Sequence, residues 1–291
     1  MSSVLSQEMN TLSKLSYRVD LNGKKTDGEI FFARIYDDPE HNDGFSLNRV
    51  ITDITTPQLT VFSPEKSNGV GILVIPGGGY QAVMFDKEGT ALAPFFLSKG
   101  YTLFVLTYRL PSHDTNSGKD NSVNDAVQAF SLIKRNSAQW NLKKDRVGIL
   151  GFSAGGHIAA AVVSHVSKYE QCERPDFLGL IYPVISMSDE ITHPGSREKL
   201  LGSNPSTTII KKYSIEHCVT KNFPPVFLLH CCDDLLVPVS NSLRMYQALL
   251  KEKIPAEMHL FESGGHGFGI QWCQGLPVRT WPDLFHNWLE N

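Results

Sequence analysis

RVGILGFSAGGH, residues 146–157, is the stretch on which the fold turns. Arg146–Phe152 is a short apolar run holding two glycines, too short for a globular helix and typical of a strand buried on both faces. Small residues follow from Ala154 to Ser167 and read as a closely packed helix. Between them, Gly151-Phe152-Ser153-Ala154-Gly155 matches G-x-S-x-G. In that pattern a serine occupies a sharp strand-to-helix turn, so that its hydroxyl projects from the sheet edge above a helix N-terminus. Glycines two residues to either side keep the turn from colliding with neighbouring backbone. An incidental serine in a glycine-rich turn is the competing reading, and the strand before it and helix after it argue against that.

Working outward, further apolar runs repeat the strand signal at Leu59–Phe62, Gly69–Ile75, Tyr101–Tyr108, Leu178–Tyr182, Pro225–His230 and Glu257–Phe261. Helical patterns fall between them at 87–99, 121–138, 240–252 and 280–290. Within 121–138, Val123, Ala126, Val127, Phe130 and Ile133 share one face. Strands alternating with helices place the chain in the α/β class, as a doubly wound, mostly parallel sheet. Ligands of such sheets bind beyond the carboxyl ends of the strands. Residues 56–291 read as one domain, with 183–225 a small cap insertion or a pair of loops carrying Pro183, Pro194 and Pro205. Residues 1–55 read as an N-terminal extension packed on or leading into the core. It carries turn signals at Asn22-Gly23, Asp27-Gly28 and Asp43-Gly44 and a candidate strand at Glu29–Tyr36.

A serine nucleophile needs donors for the oxyanion, a base and an acid. Pro76-Gly77-Gly78-Gly79-Tyr80 follows a buried strand one α/β unit before the serine, and consecutive glycines let backbone N–H groups turn toward a developing negative charge. Gly78 and Gly79, with the amide of Ala154, are the candidate oxyanion hole. His266, in Ser263-Gly264-Gly265-His266-Gly267-Phe268-Gly269 after the last strand, is the candidate base. For the acid, two aspartates compete in Cys231-Cys232-Asp233-Asp234-Leu235-Leu236-Val237-Pro238; the D-x-x-V-P arrangement points to Asp234, with Asp233 the alternative. His157 lies inside the helix after the serine and is expected to be structural, and His230 to position the acid. His165, His193 and His217 read as ordinary surface histidines, with substrate contact from the cap the alternative for His193 and His217. Asp125 and Glu88 fall in predicted helices and read as structural or substrate-edge residues.

The formal net charge is −3 and no run of basic residues stands out, so neither nucleic acid nor an anionic membrane is an expected partner. No apolar stretch is long enough to span a bilayer. Residues 1–20 lack an apolar core of signal-peptide length. The five cysteines include no C-x-x-C pair, so neither a zinc site nor a disulfide framework follows, and free thiols suggest a reducing compartment, the cytoplasm. No cofactor is expected. The sequence leaves monomer and homo-oligomer both open.

Taken together, VIPGGGY (74–80), KEG (87–89), YRLP (108–111), GFSAGGH (151–157), the D-D-x-x-V-P run (233–238) and SGGHGFG (263–269) resemble the α/β-hydrolase superfamily, and within it the small bacterial esterases described as acetyl-xylan-esterase-like. The resemblance covers about residues 55–291. It implies a serine carboxylesterase acting on short acyl esters, O-acetyl groups of small sugars among them, with Ser153, His266 and Asp234 as triad. Many relatives open the oxyanion loop with His-Gly; here Pro76 stands in that place. An amide hydrolase on the same triad (a formamidase or small peptidase) and a non-catalytic binding protein are the competing readings.

Overall fold

Short apolar runs that bury both faces need cover on both sides, and the chain supplies it with helices in every long connection. The computed structural model describes residues 16–26, 33–35, 48–112, 118–166 and 173–291. Its strands are β1 (Ser16–Asp20), β2 (Lys25–Thr26), β3 (Ala33–Ile35), β4 (Arg49–Ile51), β5 (Gln58–Phe62), β6 (Gly71–Ile75), β7 (Val83–Met84), β8 (Thr102–Thr107), β9 (Val147–Phe152), β10 (Leu178–Ile181), β11 (Val226–Cys231) and β12 (Ala256–Phe261). Nine of them form one sheet in the order β12-β11-β10-β9-β6-β8-β5-β1-β2, and β3-β4-β7 form a small second sheet. From β12 to β8 every pairing is parallel; β5, β1 and β2 extend the edge antiparallel. Residues 16–26 thus lengthen the main sheet.

Side chains alternate across a strand, and β9 shows where the cover lies. Phe152 packs on Trp281, whereas Gly151 faces Ala159. Trp281–Glu290 and Ala93–Ser98 meet on one face through Phe96, Trp281 and Phe285. Ala154–Val166 packs on the other, against Asn121–Arg135. Buried on both sides, β6, β8, β9, β10 and β11 show no exposed residue, while the edge strand β12 carries exposed and half-buried positions.

The chain leaves β6 to form β8 on one side, then crosses back to form β9 on the other, so β6 pairs with both. That reversal opens a crevice at the carboxyl ends of β6 and β9. The register levels those ends: Ile75 pairs with Gly151, Phe152 with Ile181, and Cys231 with Phe261. Pro76, Ser153, Tyr182, Cys232 and Glu262 therefore all leave the sheet on one side.

Two expectations change. The helix expected over 87–99 is only Ala93–Ser98, preceded by turns and a 3-10 turn at Thr90–Leu92. Pro94 explains the late start, because proline is accommodated in the first turn of a helix. Glu88 consequently sits in a turn rather than a helix. Between β10 and β11, residues 183–225 fold into helices Pro194–Leu201 and Thr207–Tyr213 and a 3-10 turn at Ile215–His217. Asn22-Gly23 is a turn joining β1 to β2. Asp27-Gly28, Asp43-Gly44, Cys172, the His165 side chain and most of the Glu29–Tyr36 candidate strand lie outside the described residues; its Ala33–Ile35 portion is β3.

Candidate active site

Ser153 has φ of 52°, the left-handed region that costs a non-glycine residue about 1–3 kcal/mol. Surrounding bonds hold it there. Its amide donates to Ile181 O at 3.1 Å, and its carbonyl accepts from the amides of Gly156 at 3.0 Å and Val184 at 3.0 Å. Gly155 lets the helix start press on the end of β6: a Cβ there would lie 2.1 Å from the carbonyl oxygen of Ile75. The turn seats Ser153 at the switch crevice, 7% exposed.

His266 reaches it from the loop after β12. Ser153 Oγ lies 2.8 Å from His266 Nε2, and His266 Nδ1 lies 2.6 Å from Asp234 Oδ2. A carboxylate oxygen can only accept from the ring, so Nδ1 carries the proton and Nε2 is left to accept from the serine hydroxyl. Asp234 is fully supplied with donors. Its Oδ1 accepts from the amides of Leu236 and Val237, both at 2.9 Å, and its Oδ2 also meets His230 Nε2 at 3.1 Å. His230 Nε2 faces the Val237 carbonyl as well, at 2.9 Å, so it is the protonated nitrogen; Nδ1 then accepts from Ser242 Oγ at 2.8 Å. Burial alone would raise the Asp234 pKa, but the hydrogen bonds from His230 and His266 outweigh it and hold the carboxyl below the usual aspartate value.

Asp233, the competing acid, turns the other way. Its carboxylate accepts from the amides of Gly264 at 3.1 Å and Gly265 at 2.8 Å, tying down the loop that carries His266. The neighbouring Cys231 thiol is pushed up to about 12, by burial first and then by the charges of Asp233 and Asp234, so it stays protonated and unreactive.

The loop 76–80 runs beside Ser153. Gly78 has φ of 129°, and a Cβ there would lie 2.2 Å from the Ala82 carbonyl oxygen, so only glycine fits. The Gly77 amide is already committed to Glu88 Oε2 at 2.7 Å. The amides of Gly78, Gly79 and Ala154 donate to no protein acceptor among the described residues, which leaves them for a ligand.

Glu88 and Tyr182 complete the frame, the second with no role expected from sequence. Glu88, 2% exposed, also accepts from the Tyr182 hydroxyl at 3.0 Å. Tyr182 Oη in turn accepts from the Gly269 amide at 3.0 Å, and its ring centroid lies 4.8 Å from that of His266. Burial and then the Glu88 charge push the Tyr182 hydroxyl pKa well up, so it remains a donor. A Glu88–Tyr182 relay thus joins the glycine loop to the histidine loop. Only the conjunction of KEG with a tyrosine ending β10 could have signalled it.

The remaining candidates are accounted for. His157 Nδ1 pairs with the Tyr80 hydroxyl at 2.6 Å and its Nε2 with the Tyr213 carbonyl at 2.7 Å, bridging the glycine loop to 183–225. Asp125 grips Arg109. His217 is a surface residue whose side chain is 50% exposed, beside Glu216. His193 caps the helix Pro194–Leu201.

The BD-FAE family profile matches residues 59–249. This chain belongs to the BD-FAE family. All of the glycine loop, Ser153 and Asp234 lie inside the matched BD-FAE region, and His266 lies beyond it. The chain is 35% identical to an acetylxylan esterase of Xylanibacter ruminicola over 251 residues, 85% of this chain and 50% of that protein. It therefore spans half the length of that relative. A solved acetyl ester-xyloside bifunctional hydrolase from Caldicellulosiruptor lactoaceticus is 33% identical, with a TM-score of 0.72 over 94% of this chain and 95% of that one. MGS-M1, an alpha/beta hydrolase enzyme from a Medee basin deep-sea metagenome library, is 29% identical, with a TM-score of 0.63 over 82% and 93%. The BD-FAE chain thus has the α/β-hydrolase fold. No helix among the described residues is long and apolar enough to cross a membrane.

Proposed function

We propose that this chain is a serine carboxylesterase that hydrolyses short-chain acyl esters, foremost O-acetyl esters of small saccharides, through an acyl-enzyme. The observation that carries the reading is the hydrogen-bonded line from Ser153 Oγ through His266 to Asp234, with contacts of 2.8 and 2.6 Å. The acetyl specificity draws on the acetylxylan esterase and the acetyl ester-xyloside hydrolase to which the chain is similar.

In this mechanism Ser153 Oγ attacks the ester carbonyl while its proton passes to His266 Nε2. The imidazolium that forms is stabilised by Asp234, which is already ionised and hydrogen-bonded to Nδ1. Charge gathering on the carbonyl oxygen is met by the uncommitted amides of Gly78, Gly79 and Ala154; one such donor is worth about 10²–10³ in rate. The tetrahedral adduct collapses, the C–O bond to the alcohol breaks, and the alcohol departs with the proton from His266. Water then attacks the acyl-Ser153 carbonyl, giving its proton to His266, which returns it to Ser153 as the carboxylic acid leaves. Every proton moves between the substrate, water and side chains of this chain.

Cys231, Cys232 and Cys273 are free thiols, which supports a reducing compartment, the cytoplasm, as the location.

Turnover of p-nitrophenyl acetate by wild type and Ser153→Ala tests the reading. The variant is expected to lose about 10⁶-fold in kcat, the scale for removing a triad nucleophile. Equal rates in the two proteins would reject it. Failure of a fluorophosphonate to label Ser153 in folded protein would favour a binding protein. Faster cleavage of formyl or aminoacyl amides than of acetyl esters would move the activity to amide bonds.

A further inference from the structure

His193 has half of its hydrogen-bonding capacity fixed and half unspent beside the crevice that holds Ser153. It is the N-cap of the helix Pro194–Leu201, where its Nδ1 accepts from the Ser196 amide at 3.2 Å and lies 2.8 Å from Ser196 Oγ. A nitrogen that accepts an amide proton cannot carry one of its own, so the ring is held as the Nε2–H tautomer. No protein acceptor among the described residues faces that N–H. The cap alone does not call for a histidine, since asparagine, aspartate and serine are the preferred residues there.

The ring comes beside the glycine loop through Cε1, the atom bonded to Nε2. A Cβ built on Gly79 would sit 3.6 Å from His193 Cε1. Burial first, and then the proximity of His266, lower the His193 pKa against a smaller opposing effect of Asp234. A neutral ring offers its N–H without repelling an imidazolium at His266.

An acetyl group has one polar atom, its carbonyl oxygen, and the amides of Gly78, Gly79 and Ala154 already serve that atom in the reading above. A further donor at the edge of this loop has polar partners only in the alcohol half of the ester. We propose that His193 Nε2–H is a specificity-determining contact to the alcohol, donating to a hydroxyl or ring oxygen of a saccharide beside the scissile O-acetyl group. The proposal rests on the esterase reading and adds the half of the substrate that the triad does not specify.

The test pairs two substitutions with two substrates. H193N keeps an acceptor near the Nδ1 position for the cap and removes the distal donor. H193Q loses the cap and restores an N–H near the Nε2 position. Steady-state kinetics would be measured for both variants and wild type on acetylated xylo-oligosaccharides and on p-nitrophenyl acetate, with circular dichroism to check folding. H193N is expected to lower kcat/KM on the oligosaccharide about tenfold, mainly through KM, the effect of one neutral hydrogen bond. On p-nitrophenyl acetate it stays within about twofold of wild type, and H193Q recovers most of the oligosaccharide loss. Equal losses on both substrates, or no loss on either, overturn the assignment, as does failure of H193Q to recover activity while folded. A wild type that cleaves p-nitrophenyl acetate but no acetylated saccharide also overturns it and leaves the esterase reading standing. A wild type inactive on both esters instead removes the esterase reading itself.

Discussion

Asp234 and Asp125 are both carboxylates with fully buried side chains, and their surroundings are opposite in kind. Asp125 faces a cation: the Arg109 guanidinium lies 2.6 Å away at Nη2 and the Arg109 amide 2.9 Å away. Its charge is spent on pinning the turn after β8 to the helix Asn121–Arg135. Asp234 is held by two imidazoles and two backbone amides, with no guanidinium or ammonium among its contacts. Dipoles keep it ionised without neutralising it. In the proposed mechanism its field is therefore still available when His266 takes a proton, and only then would an ion pair exist. The comparison separates a carboxylate that holds structure from one that answers a moving charge.

The largest expected effect breaks that comparison most directly. Asp234→Asn should drop kcat on p-nitrophenyl acetate by about 10⁴, because an amide no longer fixes the His266 tautomer or stabilises its protonated form. Asp125→Asn should leave kcat per folded molecule close to wild type and lower stability by about 2 kcal/mol, the scale of a hydrogen bond to a charged group, since the Arg109 guanidinium it loses is partly exposed. Kinetics corrected for active-site titre, with urea melts, would read both. A comparable kcat loss in the Asp125 variant would erase the distinction.

Glu88 is the intermediate case, a buried carboxylate fed by Gly77 N–H and Tyr182 O–H, with no hydrogen bond to Ser153, His266 or Asp234 among the described residues. Glu88→Gln should lower kcat by about tenfold while KM moves little, the scale of one disturbed hydrogen bond transmitted to the glycine loop. A change in KM alone would place Glu88 at the substrate rather than behind the loop.

The smallest effect is on stability against pH. The folded Asp234 pKa is lowered, so the unfolded chain takes up the proton first, near its ordinary value of about 3.9. The stabilisation is present above that pH and is lost as pH falls toward the folded pKa. Wild type minus Asp234→Asn unfolding free energy should be flat from neutral pH to about pH 5 and decline below about pH 4. A difference that grows on acidification would mean that folding raises the Asp234 pKa instead of lowering it.

How much of this was legible depended on how local the determinant was. β6, β8, β9 and β11 fall within two residues of the apolar runs that announce them, because glycine, proline or a charge bounds each run. Ser153, His266 and Asp234 are legible because each follows a strand and carries a chemical type that the proposed reaction requires. The choice between Asp233 and Asp234 was harder, since neighbours one residue apart point differently and the turn of 232–237 decides. The helix over 87–99 was overextended because periodicity cannot see turns made through backbone contacts, such as the approach of Gly89 to the Phe85 carbonyl. Tyr182 left no mark, for its role comes from Glu88 and Gly269, each far away in sequence. His193 reads from sequence as a surface residue, with substrate contact the alternative, for the same reason: the glycine loop it lies beside is more than a hundred residues earlier.

The bond from Asp233 to the amides of Gly264 and Gly265 has a mechanical consequence. One short segment carries both the anchor for the imidazole's loop and, one residue later, the carboxylate that meets the imidazole. Displacement of this part of the molecule shifts ring and carboxylate as a unit. In the proposed mechanism this coupling would leave the contact between Ser153 Oγ and His266 Nε2 as the one that loop motion changes most, with the ring still oriented by its carboxylate.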